Sequence, residues 1–441
     1  MKRGELSEQF RLAGPLAAQH VGFHLMGVVD AILLGRYSDA ALAGSGVGNN
    51  LLFAIAAVGL GIVMGMDTVV PQALGAGRIE DARRALGAGV RLAVIVGLVA
   101  TLCVFATPLL LILADVDPEV AHESRVYLYV RALGVVPFLI SVALRSYLAA
   151  HGKTSPLVVA VIAGNIANLA LDVVLIYGVP EIGLPALGVL GAATATSFVQ
   201  LLTLLVYLRA LRSLEGGTPR PRSTPADLRA IARYGIPVGG QLFAEVGIFG
   251  VATVMAAHMG KVPAAAHSIA LNLSSLTFSV ALGIGAAASV RVGHAVGAGD
   301  LVLARRRGLH AVALGIAVMS CFAAVFVIVP HVIATWFTND PSVVAATMPL
   351  LQIAALFQLS DGTQAIGAGA LRGLGHTRAT LWGNLLGHYA IGLPISLALG
   401  FAAHLGAPGL WWGLSVGLTV TAGYLVVRFV VGTRSTSQSP R

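Results

Sequence analysis

The sequence predicts an all-α integral membrane protein with about twelve transmembrane helices in two pseudo-symmetric six-helix bundles. Three observations predict it: an extreme apolar composition, twelve apolar segments of spanning length, and a repeat that sets the second half of the chain in register with the first. Of 441 residues, 57% are hydrophobic and only 11% charged, with a mean hydropathy of +0.86. Soluble domains carry about 25% charged residues, so the composition excludes a secreted disulfide scaffold, a disordered chain and a cytosolic enzyme. The 53 glycines suit helices that approach closely in lipid.

A spanning helix needs about 20 apolar residues. Segments of that kind lie near 10–35, 45–74, 87–114, 126–150, 156–178, 188–210, 230–258, 264–296, 308–337, 343–371, 379–402 and 408–432. The formal net charge of +9 sorts by loop. With the N-terminus inside, 24 of the 28 Lys and Arg fall on the cytoplasmic side, leaving Arg36, Arg125, Arg131 and Lys261 outside. Asp39, Asp115, Asp117, Glu119, Glu181 and Asp340 populate the outer loops. The positive-inside rule therefore predicts a multi-pass bacterial-type inner-membrane protein with both termini in the cytoplasm, and no nucleic-acid surface is needed to explain the basic charge. The charged start runs into a long apolar stretch interrupted by Asp30 with no small-residue cleavage site, which predicts a retained first helix. Cys103 and Cys321 fall within apolar segments and read as small core residues. Trp336, Trp411 and Trp412 fall at predicted outer helix ends, as interface anchors do.

The polar stretch 211–229, rich in Gly, Pro, Ser and Thr, lies near the midpoint and reads as a cytoplasmic linker. It divides a repeat. QALGAGRIEDARR, starting at 72, aligns with HAVGAGDLVLARR, starting at 294, an offset of 222 residues. The same offset pairs Pro15 with Pro237, Gln19 with Gln241, Asn50 with Asn272, Gly61 with Gly283 and Arg83 with Arg305. The expected organisation is an N-terminal six-helix lobe (1–210), the linker, a C-terminal six-helix lobe (230–432) and a cytoplasmic tail (433–441), the lobes being parallel repeats of the transporter kind.

Five carboxylates lie inside predicted spans: Asp30, Asp67, Asp172, Glu245 and Asp361. Each costs about 2.5–3.5 kcal/mol at the bilayer centre, so each needs an Arg partner, a path to a helix end, or a cation or proton. Asp67 lies near the basic inner loop, and an Arg partner is the expectation there. Counting about 1.5 Å per residue, Asp30 and Asp172 arrive some 24–27 Å across and share a level in the first bundle. Asn165 and Asn168 precede Asp172 in GNIANLALD, and Asn168 shares its helix face at i, i+4. Glu245 and Asp361 come to the midplane of the second bundle on oppositely running helices. A buried acid favours proton uptake, whereas Na⁺ held by oxygens favours the charged form, so these residues suit either ion.

Other motifs carry less. HGKTS (151–155) lacks the leading Gly and the strand of a phosphate loop. GSGVGN and GLGIVMG lie in apolar helices, where they mean close packing. His20 and His24, at i, i+4, suggest a proton relay to Asp30 or, more plainly, a hydrogen-bonded core pair. No nucleophile, zinc or paired-Cys constellation is present in the sequence.

GMDTVVPQALGAGR with its copy GHAVGAGD, ALRSYLAAHGKTSP with its copy ALRGLGHT, and GIPVGGQLFAEVGIF together resemble the MATE (multidrug and toxic compound extrusion) transporters, from about residue 10 to 432. The resemblance implies a fold of the MATE/MOP type whose two lobes alternate access and expel organic cations in exchange for Na⁺ or H⁺. Glu245 and Asp361 match the acids that mark the NorM-like branch, and Asp30 matches the acid widespread in the first helix of the family. Asp172 departs from that branch, where Asn is common, and agrees with DinF-like members.

The resulting expectation is a secondary active multidrug efflux antiporter, not an enzyme. It would have no cofactor, Na⁺ or H⁺ as coupling ion, organic and mostly aromatic cations as substrates, and membrane lipid around a monomer. Asp30, Asp172, Asn168, Asn165, Glu245 and Asp361 would couple ion and substrate, with Na⁺ a candidate at Glu245 and Asp361. Two alternatives are a lipid-linked oligosaccharide flippase of the same superfamily, which would need cationic residues in its cavity, and a membrane-embedded enzyme working with two carboxylates.

Overall fold

A computed structural model describes residues 3–217 and 221–434, the side chains of residues 3–7 and 182 excepted. The expected tail beyond 434 and residues 218–220 of the linker lie outside the described residues. Lipid offers no hydrogen bonds to the backbone, so each span must satisfy its own peptide groups as a helix. Twelve helices among the described residues are long and apolar enough to cross a membrane: α1 (Glu8–Tyr37), α2 (Asp39–Gly75), α3 (Ile79–Leu113), α4 (Pro118–Ala150), α5 (Ser155–Tyr177), α6 (Val189–Glu215), α7 (Pro225–His258), α8 (Lys261–Gly297), α9 (Leu301–Ile328), α10 (Pro341–Leu374), α11 (Thr377–Ala402) and α12 (Gly406–Gly432).

Local chemistry sets the helix ends. Ser38 caps α2, Asp117 caps α4 ahead of Pro118, Asp300 caps α9, and Asp340 caps α10 ahead of Pro341. Each side-chain oxygen takes a backbone N–H that the first turn cannot satisfy. Two of the acids assigned to outer loops, Asp117 and Asp340, are thus helix caps. The hydrogen bonds from the Ser342 backbone and hydroxyl also hold the exposed Asp340 carboxyl below its ordinary range. Helix α6 runs on to Glu215 and α7 begins at Pro225, so the non-helical part of the linker is shorter than 211–229.

Three spans are irregular, α3 through a break at Thr107 between Ala106 and Pro108. In α2 the α-helix stops at Val63 and restarts at Met66. In α11 the backbone is π-helical over Leu385–Gly392 and Ala398–Ala402. Pro394 lies between these stretches and lacks the N–H that a regular ladder would use. The side chains at Gly387 and Gly392 are missing where α12 comes closest, and a Cβ at either would meet the backbone of Gly417.

The chain forms two compact units. The first comprises Ala18–Val70 and Arg78–Gly239; the second takes residues 240 onward with 71–77 and the start of α1 up to Ala17. These memberships cross the expected division at the linker. The boundaries at Ala17 and Gly239 are 222 residues apart, the offset of the repeat. The repeat also recurs as one contact made in each unit: in the first a Cβ on Gly61 would strike the backbone of Gly239, and in the second a Cβ on Gly283 would strike Ala17. Both pairs are related by the same offset.

Two expectations fail on side-chain direction. Cys103 and Cys321 are exposed on the outside of their helices and are not core residues. An apolar segment in lipid is apolar on both faces, so hydropathy cannot tell inside from outside. Trp411 is not an interface anchor. It is fully buried in the second unit, where its indole N–H donates to His267 Nδ1 at 3.2 Å. That leaves the proton of His267 on Nε2, which lies 3.2 Å from Thr253 Oγ1. Trp336 and Trp412 are exposed.

Adding one methyl group at the repeated contact is expected to destabilise the protein. Gly61→Ala and Gly283→Ala should each lower the thermal unfolding midpoint in detergent, by an overpacking cost of about 1–3 kcal/mol. Gly27→Ala, which has open space around its Cβ position, should leave the midpoint unchanged.

Candidate functional site

Each unit buries a pair of carboxyl groups. In the first, Asp30 on α1 and Asp172 on α5 are brought together, as their common depth predicts, and both are buried. Thr196 of α6 donates to Asp30 Oδ2 at 2.9 Å. The buried Asn168 faces the same carboxyl, and the positive charge of Arg131 acts on it. Asp30 Oδ1, both oxygens of Asp172 and the amide nitrogen of Asn168 have no hydrogen-bond partner among the described residues. Asn165 stands apart from this group: it donates to Val161 O of its own helix at 2.8 Å and abuts Gly22.

Thr196 was missed in the sequence because a threonine in ATATSF carries no charge to single it out. A depth count could have found it. Asp30 lies seven residues before the end of α1 at Tyr37, and Thr196 seven after the start of α6 at Val189. Its position has chemical content. Thr196 Oγ1 also lies 3.0 Å from Ala192 O, and one hydroxyl proton serves one strong bond at a time. With Asp30 ionised the hydroxyl donates to the carboxylate. With Asp30 protonated the carboxyl can donate to Oγ1, which then donates to Ala192 O. The site accommodates both states without moving the backbone.

In the second unit, Glu245 on α7 and Asp361 on α10 are buried neighbours. Gln364 Nε2 donates to Glu245 Oε2 at 3.5 Å, Gln241 contacts the same carboxyl, and the positive charge of Arg372 acts on it. Asp361 Oδ1 has no hydrogen-bond partner among the described residues. One turn away along both helices, Phe249 and Phe357 meet with ring centroids 6.1 Å apart. Gln241 and Gln364 were also missed, although Gln241 was already visible as the repeat mate of Gln19. In the first unit Gln19 instead donates to Tyr207 at 2.8 Å.

The remaining candidates are structural. Asp67 lies 3.9 Å from Arg145 and so takes the Arg partner expected of it. Arg291, near the equivalent position of the repeat, reaches Gln9 at 3.0 Å and Glu8 at 3.3 Å. His20 approaches Arg145 at 3.4 Å, and the pairing of His20 with His24 gains no link to Asp30 from this geometry. Among the described residues no group of three or more His, Cys, Asp or Glu is arranged to hold a metal ion. Carboxylates paired with amides and hydroxyls are instead an all-oxygen donor set, suited to a proton or a small hard cation.

Two neighbouring buried carboxyl groups repel once both ionise, and this predicts a pH-dependent gain on neutralising one. Asp172→Asn should raise the unfolding midpoint at pH 8, where ionisation is most demanded, by the equivalent of about 1–3 kcal/mol. The gain should shrink at pH 5.5, where protons are more available to relieve the repulsion. Thermal melts of both proteins at the two pH values would show it, and an equal effect at both would mean that the acids do not repel.

The comparisons with known proteins agree with this architecture. The protein-family model MatE matches twice, over residues 15–174 and 237–398, and the two matches start 222 residues apart. A probable multidrug resistance protein NorM of Pseudomonas putida is 34% identical over 96% of this chain and 94% of its own length. The multidrug resistance protein NorM of Burkholderia vietnamiensis is 35% identical over 98% and 95%. Among solved structures, the eukaryotic MATE transporter AtDTX14 superposes with a TM-score of 0.88 at 22% identity, covering 97% of this chain and 96% of that one. A multidrug resistance MATE family transporter of the MOP superfamily, in an outward-facing conformation, superposes at 0.86 with 20% identity, covering 96% and 94%. A duplicated membrane-helix fold, a family match in each half and near-full-length identity of this size establish that the chain belongs to the MatE family of transporters.

Proposed function

We propose that this protein is a secondary active multidrug antiporter that expels organic, mostly aromatic cations in exchange for Na⁺ or H⁺. The observation that carries the reading is the pair of buried carboxyl groups in each unit, Asp30 with Asp172 and Glu245 with Asp361. Acids held in an apolar bundle with so few donors gain most from binding a cation. The names of the NorM relatives support the drug-efflux part.

In the cycle we propose, the coupling ion loads onto the acids from outside and displaces the drug outward. Cytoplasmic drug then displaces the ion as the two lobes alternate access. Exchange requires only that ion and drug compete for the same carboxylates, so that each favours a different state. Asn168 and Thr196 would complete the oxygen set around Asp30 and Asp172. The proposal includes a monomer in the bacterial inner membrane with both termini cytoplasmic, as the Lys and Arg distribution predicts.

The test uses inside-out vesicles preloaded with an aromatic cationic dye by an imposed proton gradient. After the gradient is collapsed, a pulse of Na⁺ should release the dye from wild type and not from Asp361→Asn, if Na⁺ is exchanged through the second unit. Accumulation that follows the proton gradient and ignores Na⁺ assigns H⁺, and Asp30→Asn should then abolish it. No dye movement in either mode would refute the antiporter.

A further inference from the structure

The π-helical stretch of α11 carries a set of buried polar side chains that nothing above uses. Asn384 and His388 are both fully buried. Both amide atoms of Asn384 and both ring nitrogens of His388 have no hydrogen-bond partner among the described residues. Such groups are costly when buried and unpaired, and in native proteins they mark an ion, a water or a functional constraint. π-Helical turns within α-helices are likewise frequent at functional sites.

Three contacts fix where this stretch lies against α7. A Cβ on Gly240 would touch Leu381, Tyr389 donates its hydroxyl to Ala244 O at 2.7 Å, and the rings of Phe249 and His388 are 6.2 Å apart. The two helices run in the same direction, so moving back one turn from Phe249 and from His388 reaches Glu245 and Asn384 together. Leu381 and His388, three residues before and four after Asn384, both face α7, and this puts Asn384 on the same face. Helix α10 runs the other way. Its Phe357 meets Phe249, and one turn further on come Asp361 and then Gln364, which donates to Glu245. Glu245, Asp361 and Asn384 therefore occupy one layer, contributed by α7, α10 and α11, beneath a layer of Phe249, Phe357 and His388.

We propose that Asn384 is a third ligand of the cation held by Glu245 and Asp361, binding through its amide oxygen. This rests on the reading of those two acids as the ion site of the second unit. An amide oxygen adds coordination without adding charge, which suits a monovalent cation already facing two carboxyl groups. Asn384 and His388, four residues apart, share one helix face, and the π-helical period is what lets Gly387 and Gly392, five apart, both lie against α12. Na⁺ is the probe ion, because a proton has no use for a third oxygen ligand.

The experiment is equilibrium binding of radiolabelled Na⁺ to the full chain in nanodiscs. A parent carrying both Asp30→Asn and Asp172→Asn removes the two acids of the first unit. Adding Asn384→Leu should weaken Na⁺ binding about tenfold, the size of one lost polar ligand. Adding Asn384→Gln, which keeps a neutral amide oxygen, should preserve binding. Melting curves run alongside separate folding from affinity, since a packing role would move the midpoint and leave Na⁺ affinity alone. Undiminished binding by Asn384→Leu, or loss of binding by an Asn384→Gln protein that melts like the parent, would overturn the proposal, as would a parent with no saturable Na⁺ binding. If binding survives Glu245→Gln and Asp361→Asn, the fault lies with the acid-pair reading itself.

Discussion

An ionised carboxyl group inside an apolar bundle is unstable unless something positive or proton-donating meets it, and the rest of this molecule is arranged around that instability. The insertion cost is about 2.5–3.5 kcal/mol for one acid, and each unit places a second acid beside the first, which adds repulsion. Close partners are few: Thr196 and Asn168 for Asp30, and Gln364 and Gln241 for Glu245. A cation entering either site removes repulsion and desolvation cost together. In the proposed exchange, that relief would supply the differential affinity between states.

Such a site works only in a frame that does not collapse around it. The frame is built by close approach of backbones at small residues: Gly61 at Gly239 and Gly283 at Ala17 in the two units, and Gly387 and Gly392 at Gly417 along α11 and α12. Without a hydrophobic force between helices in lipid, this contact area and a few polar links supply the cohesion. The buried hydrogen bond from Trp411 to His267 and the close pairing of Asp67 with Arg145 are links of that kind. They hold helices in place.

Much of this was legible in the sequence, and the reasons differ by residue. Twelve spans, the repeat and the depth of the acids follow from hydropathy, offset and rise per residue. Those quantities survive folding because each helix must satisfy its own backbone in lipid. The meeting of Asp30 with Asp172 was legible because depth is shared along a bundle. Thr196, Gln241, Gln364 and Asn384 were not singled out, since an uncharged polar residue in an apolar span carries no insertion cost large enough to demand a reason. Cys103, Cys321 and Trp411 were misplaced because a helix that is apolar all round does not declare which face is buried.

By itself, then, the sequence determined the class of protein, the number and order of its helices, its internal duplication and the heights at which its acids lie. These are properties of one helix at a time, or of the chain compared with itself. The tertiary structure alone decided which helix faces which. That in turn decided that Asn168 joins the acids and Asn165 does not, that the start of α1 belongs with the second half of the chain, and that α11 takes a π-helical path beside α12. Rotation about a helix axis has almost no signature in a uniformly apolar segment, and only packing against neighbours of particular shape selects it.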